Sequence, residues 1–433
     1  MLRTIASNWA LLLGIGVFML GHGLQGTLLG VRANIQGFPT AVTGIVMAGY
    51  SLGYLLGALW VERLLVRVGH VRVFAAASAL ASAAIVVHAV ILDPFSWFAL
   101  RVLTGLSMAG IYMVAESWLN AAASNADRGR LLSLYMIVVS GCFAGGQILL
   151  NLGSPATTLL FILASVLLSV ATVPLLLSSV PAPIIQAPKR FGFRDLYRVS
   201  PLSFVGMTGV GLTQAAFLGV GAVFADLSGL SVAGVSTFMA LGYLGGVVMQ
   251  WPIGRLSDRF DRRRVLTGVN VLAAGTMALA VLGLPFGTIA ITLAFFVYGG
   301  LAMPLYALCL AHANDHLSDD QRISASGTLA FVYAAGSVGG PIFASAAMQA
   351  GGAFVFPVYL GVVHAGIGAF ALYRMTRRTA PPLERQGQHL NVPTPALSAS
   401  TVVTAFAQER AMEAGRDVDR PEIPAPKIEY GLG

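Results

Sequence analysis

Charge is what this chain has least of. Asp, Glu, Lys and Arg make up only 10% of its 433 residues, against about a quarter in soluble domains. So few charges cannot cover the surface of a soluble chain this long, and that class is excluded. Lysine is nearly missing, with only Lys189 and Lys427. No G-x-x-x-x-G-K-[ST] run occurs, which excludes a P-loop motor. Cysteine is limited to Cys142 and Cys309, both inside apolar runs, so neither a disulfide framework nor a thiolate metal site is indicated. Hydrolase signatures are likewise missing, and the chain is expected to be no enzyme and to need no cofactor.

What is present is apolar length. Hydrophobic residues reach 56% and the mean hydropathy is +0.78. No formal charge interrupts residues 4–31, 33–61, 73–92, 131–188, 199–225, 227–254, 265–314 or 323–373. A membrane helix needs about 20 apolar residues, so the longest runs each hold two. Turn signals at Asn151 to Pro155, Gly283 to Gly287 and Gln349 to Gly352 divide them. Adding a span around Arg101, the pattern predicts twelve helices. They lie near 9–31, 40–61, 73–92, 95–119, 131–151, 157–178, 200–225, 231–253, 265–284, 288–312, 324–348 and 353–373. The expected fold class is an all-α membrane protein. The first run is too long for a signal peptide and counts as the first span.

Arginine placement predicts the orientation. With the N-terminus cytoplasmic, the inner loops carry Arg63, Arg67 and Arg72; Arg128 and Arg130; Lys189, Arg190, Arg194 and Arg198; Arg255, Arg259 and Arg262 to Arg264; and Arg322. The outer loops carry only Arg32. The net charge of +8 is therefore topogenic, and no nucleic-acid partner is implied. Both termini are expected in the cytoplasm of a bacterial cell, with the bilayer as the surrounding partner. The organisation reads as residues 1–180, a first six-helix bundle; 181–199, a basic cytoplasmic linker; 200–378, a second bundle; and 379–433, a polar, Pro-rich tail expected to be disordered. A short helix within 400–414 is conceivable.

The two bundles resemble each other. At an offset of 192, Met47, Ala48, Leu52 and Gly53 recur as Met239, Ala240, Leu244 and Gly245, while Arg63, Leu64, Arg67 and Arg72 recur as Arg255, Leu256, Arg259 and Arg264. At 195, Gly105, Leu106 and Met108 meet Gly300, Leu301 and Met303, and Gly141 and Gly145 meet Gly336 and Gly340. Two like-oriented six-helix halves are a pattern of secondary transporters.

Across residues 5–378 the chain resembles the major facilitator superfamily. The segment Gly254-Arg255-Leu256-Ser257-Asp258-Arg259-Phe260-Asp261-Arg262-Arg263-Arg264 is similar to the family's motif A, with Asp261 at the second glycine. In the first half only Arg67-Val68-Gly69-His70-Val71-Arg72 survives, with Val66 at the aspartate position. Arg101-Val102-Leu103-Thr104-Gly105 resembles motif B, and Gly336-Ser337-Val338-Gly339-Gly340-Pro341 resembles part of motif C. Ala115 to Asn120 and Ala311 to Asp315 resemble marks of the YcaD-like subgroup. The resemblance implies two pseudo-symmetric bundles, a cavity lined by the first, fourth, seventh and tenth helices, and a cytoplasmic gate at Gly254, Asp258, Arg259, Arg263, Arg67 and Arg72. Asp258 can pair with arginines at a helix end, whereas Arg262 to Arg264 also read as a solvated topogenic run.

Intramembrane charges are costly and usually functional. Arg101 and Tyr112 share a face of the fourth span, being roughly 20° apart, and Glu116 lies about 60° round from Arg101. Arg101 either lines the cavity or snorkels outward; Glu116 is either in the cavity or interfacial. His22 and Gln25 share a face of the first span, His22 being a proton site or a packing residue. Thr213 and Gln214 occupy a corresponding level in the seventh span. Tyr298, with Met19, Tyr50, Tyr54 and Met108, suggests an aromatic cavity wall, and His312 adds an inner-end candidate. His312, Asp315, His316 and Asp319 have helical ligand spacing but end in a polar turn, so no metal site is expected. His88 and His364 read as structural. The expected function is proton-coupled efflux of a small, partly apolar solute by a monomer. The alternatives are a facilitative or symport importer, or a receptor-like scaffold acting through its tail.

Overall fold

The computed structural model describes residues 2–122, 125–177, 192–283, 287–317 and 319–377. The expected disordered tail, the possible helix within 400–414 and most of the 181–199 linker lie outside these residues, as do the side chains of Arg128, Arg130 and Arg322. The described residues are helical throughout, without a strand. In order they form α1 (Leu2–Ile35), α2 (Thr40–Val68), α3 (His70–Val90), α4 (Pro94–Ala122), α5 (Asn125–Ile148), α6 (Leu159–Val170), α7 (Val173–Leu176), α8 (Phe193–Val199), α9 (Pro201–Leu227), α10 (Val232–Arg259), α11 (Arg262–Gly283), α12 (Thr288–Ala302), α13 (Leu305–Asn314), α14 (Asp319–Gly351) and α15 (Val355–Arg377).

Among the described residues twelve spans are long and apolar enough to cross a membrane, as the charge-free runs predict. A continuous helix satisfies every backbone amide internally, and in lipid nothing else can. The turns fall where glycine permits a left-handed backbone, Gly287 at φ 89° and Gly352 at φ 92° among them.

Two spans are broken, which hydropathy alone did not reveal. The sixth divides between α6 and α7, just before Pro174, and the tenth divides between α12 and α13 at Met303 and Pro304. A proline removes one amide donor and its ring collides with the carbonyl four residues earlier.

Tight crossings in the two halves obey one register. A Cβ on Gly53 would overlap the carbonyl of Val102; a Cβ on Gly245 would overlap that of Phe296. Gly146 abuts the carbonyl of Leu20, and Gly340 that of Leu212. The first and second spans therefore repeat at 192, as the sequence indicates. The fourth and fifth repeat at 194 rather than 195, because equivalent positions are those that meet equivalent carbonyls. Gly105 against Tyr50 thus corresponds to Gly299 against Gly242.

The bundle has an arginine-rich end, carrying Arg67, Arg72, Arg255, Arg259, Arg262 to Arg264, Arg374 and Arg377, and an arginine-poor end with the turns at Gly37, Asp93, Gly229 and Gly352. Hydrogen bonds zip the halves together at the arginine-poor end. Asn34 Nδ2 donates to Asp226 Oδ2 (2.5 Å), and the Ala41 amide donates to Gln349 Oε1 (2.7 Å). Asn151 Nδ2 donates to Ser236 Oγ (3.1 Å), which itself donates to the Gln147 carbonyl (2.8 Å).

Candidate functional site

α4 starts at the arginine-poor end, where Asp93 Oδ1 accepts the backbone amides of Phe95 and Ser96 at 3.0 and 3.1 Å. Ser96, through its side chain and amide, holds that carboxyl below its ordinary value of 3.8. This cap starts the helix two turns before Arg101. Arg101 is only 5% exposed, so it does not snorkel. Its guanidinium stands over the Tyr50 ring, 4.7 Å from the centroid. Nε and Nη1 have no hydrogen-bond partner. Its titratable neighbours are Tyr50, His22 and His88, with no carboxylate among the described residues. A cation over an aromatic face recovers only part of its lost hydration.

Around Arg101 lies a cavity of about 50 Å³ between the halves, lined by His22, Tyr50, Arg101 and Tyr112 from the first half and by Leu218 and Pro341 from the second. The His22 ring stacks on Tyr50 at 5.3 Å, and its Nε2 lies 3.2 Å from the Tyr50 hydroxyl. Tyr112 donates to the Met19 sulfur at 3.4 Å. Gln25 is fully buried one turn from His22, its side chain within hydrogen-bonding reach of that ring. The structure thus brings Arg101, Tyr112 and His22 to one cavity, while Gln25 lies behind His22 and does not line it. Sequence reasoning undervalued Tyr50, because in the charge-free part of α2 hydrophobic periodicity does not mark which face turns inward.

The other pathway candidates lie elsewhere. Gln214 does not line this cavity. Its Nε2 donates to the carbonyls of Ala302 (2.9 Å) and Met303 (3.2 Å), the groups orphaned by the α12–α13 break, and its Oε1 accepts the Tyr333 hydroxyl at 2.9 Å. Tyr298 belongs to the second half's core. Its hydroxyl lies 3.2 Å from His364 Nε2, while His364 Nδ1 lies 2.9 Å from Asn270 Oδ1. Glu116 is buried, within electrostatic range of Tyr54, Tyr135 and Tyr306. His88 is structural, bonded to the Ala84 carbonyl at 2.6 Å.

His312 sits at the arginine-rich end, its ring 4.8 Å from that of His316 and near Arg262, Arg263 and Asp261. No group of metal-ligating side chains occurs among the described residues. Nearby, Arg262 is buried and organises the motif around Asp258. It bonds Asp315 Oδ1 (2.5 Å) and the Ala311 carbonyl (3.0 Å), and it lies 3.7 Å from Asp258 Oδ1. A reading of Arg262 as a solvated topogenic charge is therefore corrected. Arg263 turns back to Asp261 at 2.9 Å. Partial burial of Asp261 works against its ionisation, but hydrogen bonds from the Arg263 side chain and amide hold its carboxyl below 3.8. Gly254 is buried, whereas Arg67, Arg72, Arg259 and Asp258 are exposed.

The Major Facilitator Superfamily model matches residues 11–305 and, again, 204–412. The chain belongs to the major facilitator superfamily. The two overlapping matches agree with the duplicated register seen in the packing. An uncharacterised MFS-type transporter of Enterobacter sp. (strain 638) is 28% identical over 347 residues, 78% of this chain and 88% of the relative. The uncharacterised transporter YcaD of Escherichia fergusonii is 28% identical over 345 residues with the same coverage. The crystal structure of the nucleoside transporter NupG superposes with a TM-score of 0.69 at 14% identity, covering 86% of this chain and 98% of that one. An inward-facing, unoccupied bacterial homologue of the human lysosomal transporter Spinster gives 0.66 at 17%, covering 95% and 97%. At these identities the structures show a common fold. This member of the superfamily is a multi-pass membrane transporter.

Proposed function

We propose that this chain is a proton-linked secondary transporter that expels a small, partly apolar solute by alternating access of its two halves. The observation that carries the reading is the cavity between the halves, with Arg101 inside it and side-chain hydrogen bonds sealing one end. Membrane transporters of inverted or parallel repeats place their sites at such an interface. The arginine distribution supports assigning the rich end to the cytoplasm of a bacterial inner membrane, with both termini there. The arginine-poor seal then describes an inward-facing arrangement.

Glu116 and His22 are the proton sites in this scheme. Glu116 is a carboxyl buried among tyrosines of both halves, and His22 borders the cavity. The network of Asp258, Arg262 and Asp315, with Gly254 and Arg259 beside it, forms the inner gate on the second half. Protomers working singly suffice, since the cavity is complete within one chain.

The test is transport by purified protein in proteoliposomes with an imposed pH gradient. Glu116→Gln or His22→Ala is expected to abolish uphill movement while solute exchange continues. Uphill transport undiminished in both variants would remove the proton assignment.

A further inference from the structure

We infer that Arg101, together with His22, is a subsite for an anionic group on the transported solute, whose apolar body lies against the second half. The inference rests on the transporter reading and names the class of its substrate, an amphipathic organic anion.

The packing register makes the argument. The second half shows what these positions hold when they only build core. Gln25 corresponds to Phe217 at the 192 register, and Arg101 corresponds to Phe295 at the 194 register. Phe217 and Phe295 stack on each other at 5.9 Å, and Phe224, Phe238, Phe356 and Tyr298 surround Phe295 at 4.8 to 6.0 Å. The same fold site is thus filled with phenyl rings in one half. In the other it holds a buried carboxamide and a buried guanidinium whose Nε and Nη1 have no hydrogen-bond partner.

Core formation therefore does not require polar side chains here; the second half does without them. Buried polar groups are otherwise nearly always paired, and removing Arg101 from water without an acceptor is unfavourable. What completes the site must supply acceptors, because a guanidinium only donates. A carboxylate or phosphate presents the paired oxygens that an arginine binds best. The His22 ring borders the same cavity.

The remaining lining sets the rest of the ligand. Ser51 adds one hydroxyl, while Leu218, Ala215, Gly219 and Pro341 of the second half, with Met47 and Phe143, are apolar. They offer contact area without hydrogen bonds. An aromatic or aliphatic frame bearing one anionic group fits this division. A sugar does not, because its many hydroxyls would find few partners.

The experiment measures binding to purified full-length protein in nanodiscs, using matched probes: benzoate, benzamide, phenyl phosphate and cyclohexanecarboxylate. Calorimetry should show the anions binding at least about tenfold more tightly than benzamide, a difference expected of a charged hydrogen bond. Benzoate and phenyl phosphate separate carboxylate from phosphate preference. Arg101→Gln should abolish the preference, and Arg101→Lys should keep part of it. The lysine variant guards against a glutamine variant that does not fold.

Benzamide binding as tightly as benzoate, benzoate binding unchanged in Arg101→Gln, or no anion binding at all would overturn the inference. A spin-label distance across the arginine-poor end, read in the same samples, separates this from failure of the transporter reading. Movement driven by benzamide alone leaves alternating access standing and removes the anion site. Anion binding without movement under any condition does the reverse.

Discussion

The guanidinium of Arg101 stands 4.7 Å from the ring centroid of Tyr50, and its Nε and Nη1 have no hydrogen-bond partner among the described residues. Replacing Tyr50 by Phe keeps the face and removes only the hydroxyl near His22. Replacing it by Leu removes the face. A cation–π contact is worth about 0.5–2 kcal/mol, so Tyr50→Leu should lose stability by that order, and Tyr50→Phe distinctly less. Thermal unfolding in nanodiscs reads the difference; equal losses would show that the ring face contributes nothing.

Gln214 stabilises a broken helix. It serves two carbonyls that Pro304 and the turn at Met303 leave unmatched, and it occupies the register position of His22. Gln214→Leu removes both donors inside a water-free core. Each orphaned buried acceptor costs about 1–3 kcal/mol. The variant should unfold at lower temperature, and Gln214→Glu, which keeps the shape but not the donor, should suffer similarly. A wild-type melting temperature in both would refute the role.

The contact between Asn34 and Asp226 is part of the seal at the arginine-poor end. A hydrogen bond to a charged group contributes about 1.5–3 kcal/mol. Asp226→Ala should shift the population of open molecules at that end by about tenfold or more. Electron–electron distances between labels near Gly37 and Gly229 report the change. An unaltered distance distribution would mean that the other cross-half bonds hold the seal alone.

Arg262 and Asp315 meet at 2.5 Å with both side chains almost fully buried. Removing one member of a buried ion pair typically costs about 3–5 kcal/mol, because the other stays buried. Asp315→Ala should therefore approach that loss, softened by the longer contact to Asp258. Arg262→Met, which removes the buried cation itself, should cost less. Denaturation of the two variants side by side decides the order; a less stable Arg262→Met would contradict it.

Much of the architecture was legible in the sequence. Twelve spans, their approximate ends, the basic face and the duplication all follow from local runs and from arginine spacing. A charge-free run of some twenty residues has one low-energy state in lipid, a helix, whatever its neighbours do. Arg101 stood out in the sequence for the same reason, since a charge in such a run is costly, and the structure places it in the cavity between the halves.

Tertiary structure alone decided which side chains meet. In a membrane helix the lipid face and the packed face are equally apolar, so hydrophobic periodicity carries little information about which side turns inward. The faces are instead chosen where backbones touch, at Gly53 on Val102 and Gly105 on Tyr50. Those crossings bring Tyr50 under Arg101, shift the repeat of the fourth span to 194, and set Phe295 where Arg101 stands in the other half. They also turn Gln214 and Tyr298, which sequence grouped with the pathway, into parts of the second half's framework. The residues were all visible from the start; their neighbours came from packing.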